Sequence, residues 1–134
     1  MTEVPAGELM IVRFSPFSEE KIMEKAQRDH GRLQAEGKHP IYAISTFGIV
    51  RPDYETSIDD LIETICKTAP VNGKKAAVTT RQQLQDQGFR VERSEPPLHH
   101  HDVILGNELN ETDVKRLAAL LAAGSRRNLS WPSK

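Results

Sequence analysis

The stretch PIYAISTFGIV, residues 40–50, decides the fold of this chain. Its apolar residues fall on both alternating faces, whereas a strand with one solvated face would alternate apolar and polar residues. A strand of this kind lies inside a sheet that is covered on both sides. We therefore predict a central strand from Ile41 to Val50.

Shorter patterns on both sides of this strand predict an α/β (or α+β) domain. Further strands are predicted over residues 9–14, 75–79, 90–93 and 98–105, each bounded by Gly, Pro or polar turn residues. Amphipathic stripes predict four helices, which follow the capping residues Ser18, Thr56 or Ser57, Thr80 and Asn110. The order β-α-β-α-β-α-β-β-α predicts a mixed sheet of about five strands, parallel where helices connect the strands and antiparallel at the fourth-to-fifth connection.

The composition indicates one folded domain and excludes several classes of protein. The chain has 134 residues, a formal net charge of −1 and a single cysteine, Cys66. A chain of this length can bury a core without disulfides, so we predict one globular domain over residues 1–124 and a basic tail over residues 125–134. The lone cysteine and the lack of a signal peptide or a long apolar run predict a cytoplasmic protein that does not bind a membrane.

Residues 99–102, with the sequence HHHD, form the most unusual polar cluster. In an extended strand His99 and His101 would lie on one face, and His100 and Asp102 on the other. Two histidines at this spacing can bind zinc or another divalent metal, and a histidine beside a carboxylate can act as a general base. His99 and His101 are therefore candidate metal ligands, and His100, Asp102 and His30 are candidate catalytic residues. The alternative is a purely structural strand whose histidines are solvated or bonded to backbone.

His30 belongs to the catalytic candidates because it falls on the apolar face of the first predicted helix, next to Asp29. A histidine in that position is more often packed with one hydrogen bond. Ser45 and Thr46 interrupt the central strand with hydroxyl groups, but no GxSxG motif surrounds them. The glycine-rich motifs of nucleotide-binding sites are absent from the sequence, and no cofactor other than a divalent metal is indicated.

Basic residues cluster in the second half of the chain and raise the question of nucleic-acid binding. The candidates for such a patch are Lys74, Lys75, Arg81, Arg90, Arg126 and Arg127. Trp131 would add a stacking surface. Because a dedicated nucleic-acid binder usually has an excess of basic residues, the balanced net charge favours a solvated surface instead.

Two functional hypotheses follow from the sequence. The first is a small interaction or regulatory protein of the adaptor type, which binds a protein partner or a second copy of itself. The second is a small histidine-dependent enzyme, a phosphoester hydrolase or nuclease with or without a metal ion, that uses the HHHD strand. The first is favoured because no complete catalytic set is visible. A pocket that brings this strand together with another polar group would support the second.

Overall fold

Six strands and four helices occur in the computed structural model, which describes residues 3–70 and 72–131. The strands are β1 (Leu9–Phe14), β2 (Tyr42–Val50), β3 (Lys75–Thr80), β4 (Arg90–Arg93), β5 (His100–Gly106) and β6 (Ser125–Arg127). The helices are α1 (Glu19–Ala35), α2 (Ile58–Cys66), α3 (Arg81–Asp86) and α4 (Glu111–Ala123). A single α/β domain with four helices is thus confirmed, and the sheet contains one strand more than predicted.

The strands form one sheet in the order β4-β5-β2-β1-β3-β6. β2 lies inside this sheet, between β5 and β1, as the apolar stretch predicts. Every strand pairing is antiparallel, so the prediction of parallel pairs in a mixed sheet is wrong. The reason is that the connection through α1 returns to the end of the sheet at which β1 stops, and β2 therefore runs in the opposite direction beside it.

Helices cover the two faces of the sheet unequally. Residues of α1, α3 and α4 pack on one face together with Ile11, Ile44 and Val103 and form the larger core. On the other face α2 packs its Leu61, Ile62 and Ile65 against side chains of β1, β2 and β3. The core on this second face contains no described residue of β5. The part of the sheet where β2 pairs with β5 therefore has little helical cover on that side.

Side-chain caps start all four helices where the sequence predicts them. The Oγ atoms of Ser18 and Ser57 accept hydrogen bonds from the backbone N–H groups of Lys21 and Asp60. Thr80 accepts from Gln83 N at 3.1 Å, and Asn110 accepts from Thr112 N at 2.8 Å. Each bond satisfies one of the free N–H groups of a first helical turn.

The predicted basic tail begins inside the sheet. Ser125–Arg127 forms the edge strand β6, which pairs with Lys75–Ala77 of β3. A three-residue strand without a long apolar pattern lacks the periodicity by which sequence predicts strands. Residues 1, 2 and 132–134, the outer ends of the predicted domain and tail, lie outside the described residues. None of the described helices is long and apolar enough to cross a membrane.

Candidate functional site

A cleft opens where β1 and β2 separate. The two strands pair from Leu9 with Val50 to Val12 with Phe47, and beyond this point β1 pairs only with β3, while β2 pairs with β5. The next residue of β1, Arg13, extends its side chain across the gap, and its Nη1 donates a hydrogen bond to the Ser45 carbonyl at 2.7 Å. Arg13 thus satisfies a backbone group that the departing strand leaves unpaired.

The cleft has a volume of about 430 Å³, within the range of small-molecule sites. Its apolar lining comes from Phe14 and Phe47, whose ring centroids are 6.0 Å apart, and from three prolines, Pro16, Pro70 and Pro97. Its polar lining comes from Arg13, Ser15, Lys25, Ser45, Asn72 and His100. Among the described lining residues there are two permanent cations and no carboxylate.

Arg13 is a largely buried charged group of this cleft. Burial lowers the pKa of its guanidinium, and the nearby Asp29 carboxylate partly opposes that effect. Lys25 lies one helical turn before Asp29 on α1, and its Nζ is 3.2 Å from Asp29 Oδ1. The two cations therefore share one carboxylate. The Nε atom of Arg13 is buried and has no hydrogen-bond partner among the described residues.

Asn72 contributes a second buried donor without a partner. Its Nδ2 is buried and unpartnered in the described part of the chain, while its Oδ1 accepts hydrogen bonds from Gly73 N at 2.8 Å and from the Cys66 thiol at 3.4 Å. Buried polar groups are nearly always hydrogen-bonded, and an unpaired one costs about 1–3 kcal/mol. Both donors belong to residues that line the cleft, but the two nitrogen atoms themselves are buried.

His100 lines the same cleft from β5 and is held by one ring nitrogen. Its Nδ1 is 2.6 Å from Ser94 Oγ and 3.2 Å from the Ser94 carbonyl oxygen. Because a carbonyl can only accept, Nδ1 carries a proton, and in the neutral ring Nε2 is the acceptor. Phe47 contacts the same ring edge-on, with centroids 5.8 Å apart. The nitrogen that remains for a ligand is therefore Nε2.

Asp102 lies beside His100 on the same face of β5, as strand alternation predicts. Its Oδ1 is 4.0 Å from His100 Nδ1. Burial raises the pKa of the Asp102 carboxyl, and His100 and a hydrogen bond from Ser94 oppose this shift only in part. The predicted pair of His100 and Asp102 is thus present, with Ser94 placed between the two side chains.

The wild-type protein should lose stability as pH rises and Asp102 loses its proton. Replacing Asp102 by asparagine is expected to remove this loss. Since burial raises the folded-state pKa of this carboxyl, the folded protein keeps its proton to a higher pH than the unfolded chain does. Wild-type stability therefore falls from the unfolded pKa of about 3.9 up through the folded pKa. D102N does not titrate, so its stability relative to wild type should rise across this window and then stay constant. Urea unfolding at a series of pH values measures the difference.

The control for that experiment is D86N, which removes a carboxylate from the exposed surface of α3. Comparison of the D102N and D86N profiles isolates the effect that burial has on Asp102. Parallel pH profiles for wild type and D102N would contradict the assigned effect of burial on Asp102.

The other two histidines of the cluster occupy different surroundings. His101 is buried on the opposite face of β5, and its Nδ1–H donates to the His99 carbonyl at 2.8 Å. His99 precedes the strand and has a φ of 72°, so the predicted strand alternation does not extend to it. Within residues 3–70 and 72–131, no group of three or more His, Cys, Asp or Glu side chains is arranged to hold a metal ion. Zinc binding by His99 and His101 stays a prediction without further ligands.

His30 lies away from the cleft lining. Its ring stacks on Tyr42 with centroids 4.0 Å apart and an interplanar angle of 9°, which joins α1 to β2. The structure therefore brings together His100 and Asp102 of the catalytic candidates and leaves His30 in a packing contact.

Sequence reasoning missed Arg13, Lys25 and Asn72. Of these, Arg13 carried a signal, since it is the single charged residue in the apolar run of β1.

The predicted basic patch is divided between opposite edges of the sheet. Arg90 lies on β4, and Arg126 and Arg127 lie on β6, which are the two edge strands. Lys75 pairs directly with Arg127 across β3 and β6, whereas Arg126 Nη2 is 3.1 Å from Asp59 Oδ1. The six basic candidates do not form one continuous surface.

The geometry gives the cleft two chemical capacities. Arg13 and Lys25 can hold negative charge, and His100 can exchange a proton through Nε2. The apolar lining can contact a hydrocarbon or aromatic group at the same time. Comparison of the chain with protein-family models, with curated protein sequences and with solved structures finds no match.

Proposed function

We propose that this domain binds a small organic anion in the cleft between β1 and β2. The observation that carries the proposal is the pair of cations, Arg13 and Lys25, that line one cavity whose described lining residues include no carboxylate. A ligand with anionic oxygens can pair with both side chains.

The charges of the cleft support a negatively charged ligand. Arg13 and Lys25 line it, and Asp29, which acts on both, offsets only one of the two positive charges. The guanidinium of Arg13 offers its donors in a planar arrangement that matches a carboxylate or a phosphate. Coulomb attraction is strengthened in the cleft because its walls exclude water from part of the Arg13 side chain.

The apolar lining supports an organic ligand over a bare inorganic ion. Phe14, Phe47 and the three prolines contact the same space as the cations. Each 1 Å² of apolar surface buried by the ligand adds about 25 cal/mol to binding, so a ring or short chain beside the anionic group is favoured. We infer a carboxylate or phosphate that is attached to an apolar body of modest size.

His100 gives this proposal its link to the histidine-dependent enzyme hypothesis. That hypothesis requires the HHHD strand to border a pocket and to meet other polar groups, and His100 lines the cleft together with Arg13 and Lys25. Its Nε2 can exchange a proton with a hydroxyl or a protonated group of the bound anion. Cleavage of a phosphoester or another bond by this histidine stays a prediction.

NMR titration of the full chain tests the proposal directly. Phenyl phosphate and benzoate serve as organic anions, inorganic phosphate as the bare anion, and benzylamine as a cation of similar size. We expect both organic anions to shift resonances of Arg13, Asn72 and His100 and to bind at least tenfold more tightly than benzylamine, since charge complementarity is worth about 1.4 kcal/mol or more here. Equal binding of benzylamine, or shifts confined to other parts of the chain, would refute an anion site in the cleft.

The interaction-module hypothesis, a homo-oligomer and a cytoplasmic location stay predictions. The support for an interaction surface is the exposure of Leu129 and Trp131, which follow the edge strand β6 and are 67% and 46% exposed. Large apolar side chains on a surface often mark contacts with other proteins. Neither residue lines the cleft, so this hypothesis and ligand binding are compatible.

A further inference from the structure

The imidazole of His100 is held in one orientation by a single neighbouring residue, Ser94. The His100 carbonyl accepts a hydrogen bond from Ser94 N at 2.9 Å. The ring nitrogen Nδ1 is 2.6 Å from Ser94 Oγ and 3.2 Å from the Ser94 carbonyl oxygen. Both the backbone and the ring of His100 are therefore fixed to Ser94, so the ring does not have to be ordered when a ligand binds.

Two contacts of Ser94 place the ring proton on Nδ1. The Ser94 carbonyl can only accept, so it requires a proton on this nitrogen. The Ser94 hydroxyl donates to the Asp102 carboxylate. A hydroxyl has one proton, so the same oxygen can only accept from Nδ1. The neutral ring of His100 therefore offers Nε2 as a hydrogen-bond acceptor.

Nε2 lies on the edge of the ring that faces the cleft. Ser94 directly follows β4, and β5 lies between β4 and β2 in the sheet. Since Nδ1 points toward Ser94, the opposite edge of the ring faces β2, where Phe47 contacts it. Within residues 3–70 and 72–131, Nε2 has no hydrogen-bond partner and is not one of the buried atoms without a partner. It therefore keeps accessible surface on a side chain that lines the cleft.

The charges beside His100 match a ligand with one negative charge. Arg13 and Lys25 carry two positive charges, and the Asp29 carboxylate offsets one of them. One positive charge is left, which a single carboxylate group neutralises. The neutral ring of His100 adds an acceptor and no further charge.

The cation and the acceptor are close enough to contact one small ligand. Arg13 Nη1 donates to the Ser45 carbonyl, whereas His100 pairs with Phe47. Ser45 and Phe47 are two residues apart on β2, a separation of about 7 Å. Because Arg13 and His100 both line the same cavity, a carboxylate and a hydroxyl group of one small molecule can reach both side chains.

We propose that the cleft binds hydroxy acids, with the ligand carboxylate paired to Arg13 and the ligand hydroxyl donating to His100 Nε2. His100 is then a specificity-determining residue, because an acid without a hydroxyl displaces water and leaves Nε2 without a donor. The inference rests on the proposed function of the cleft and adds the chemical class of its ligand. The rings of Phe14 and Phe47 contact the apolar part of the same molecule.

Three acids of similar size test the inference on the wild-type protein. Mandelate has the hydroxyl group, phenylacetate lacks it, and O-methylmandelate cannot donate. Titrations are run at about pH 8, above the range in which an imidazole normally takes up a proton. We expect the tighter enantiomer of mandelate to bind about fivefold more tightly than either analogue, which is the value of one neutral hydrogen bond. NMR of the ring nitrogens should show the proton on Nδ1 in each complex and the largest Nε2 shift with mandelate.

His100→Phe is the variant that tests the specificity role. Phenylalanine keeps an aromatic ring beside Phe47 and removes the acceptor. The preference for mandelate over phenylacetate should fall below about twofold, because neither acid finds an acceptor at this position. His39→Phe, the same exchange at an exposed position before β2, is the matched control and should keep the full preference. The comparison of acids on wild type needs no variant, so it tests the inference even if H100F fails to fold.

The outcomes separate the two proposals. Equal binding of mandelate and phenylacetate in the wild-type cleft would overturn the selection of hydroxy acids and leave the anion site intact. A proton on Nε2 in the phenylacetate complex would also overturn it, because His100 would then act as a third cation. So would an undiminished preference for mandelate in a folded H100F. Absence of any cleft shift with all three acids would overturn the proposed function, and the choice of ligand class with it.

Discussion

Replacing Gly73 by alanine is expected to lower the free energy of unfolding by about 3 kcal/mol, at the upper end of the usual cost of overpacking. A Cβ atom at this position would lie 2.8 Å from the carbonyl oxygen and the Oγ of Ser15, and 2.9 Å from its backbone nitrogen. These distances are far below van der Waals contact, and two of the three atoms belong to the backbone. The strain therefore cannot be relieved by rotation of one side chain.

Ser15 cannot move away without breaking contacts that close the end of β1. Its N–H donates to the Lys75 carbonyl at 3.0 Å, and its Oγ accepts from Lys75 N at 3.2 Å. Since Asn72 precedes Gly73 and both Ser15 and Asn72 line the cleft, the substitution should also weaken anion binding. Thermal and urea unfolding of G73A measure the first effect, and phenyl phosphate titration measures the second.

Gly31→Ala supplies a control with the opposite expected sign. Gly31 lies in the interior of α1, and a Cβ there would meet nothing within 4 Å. Alanine is favoured over glycine in a helix interior by about 1 kcal/mol, so G31A should be more stable than wild type. A G73A protein as stable as wild type would show that β1 and the turn at Gly73 are not in contact as described.

The elements of the fold could be predicted from the sequence because they depend on local patterns. The apolar stretch at residues 40–50 became β2 inside the sheet, and Ser18, Ser57, Thr80 and Asn110 cap the helices that they were predicted to begin. Strand direction depends on where each connection returns to the sheet, which no local pattern records. The parallel pairs were therefore predicted wrongly. For the same reason composition does not show that Arg90 and Arg127, two of the candidates for a basic patch, lie on opposite edge strands.

The candidate site could be predicted only where one strand contains it. Alternation along β5 placed His100 and Asp102 on one face, and both lie there. The predicted alternation does not reach His99 because the strand begins at His100 and the backbone at His99 has a positive φ. Arg13 and Asn72 are far apart in sequence. Both line the cleft only because the pairing of β1 with β2 ends at Val12. Such a divergence is a tertiary feature, although an arginine within an apolar strand is a signal that sequence reasoning can use.

Replacing Arg13 by methionine is expected to reduce the affinity for phenyl phosphate and benzoate about 100-fold, because a charge-assisted hydrogen bond in a desolvated site is worth about 1.5–3 kcal/mol. The free energy of unfolding should change by less than about 1 kcal/mol, since two effects oppose each other. The variant loses the hydrogen bond to the Ser45 carbonyl, and it also loses a largely buried cation with an unpartnered Nε. Methionine fills the space of the arginine stem, and Asp29 keeps Lys25 as its partner at 3.2 Å.

The combination of lost binding and retained stability is what separates a ligand-binding arginine from a structural one. Arg90→Met is the control for the loss of one positive charge, because the Arg90 side chain on β4 is exposed. This variant should bind both anions like wild type. Arg13→Lys should recover part of the affinity, because it restores the charge but not the planar donors. Binding by calorimetry and stability by urea unfolding are measured on all three variants. Two results would show that Arg13 serves the fold alone and that the cleft is not the anion site its two cations indicate. One is wild-type binding by R13M, and the other is an unfolded R13M together with a fully stable R13K that binds no anion.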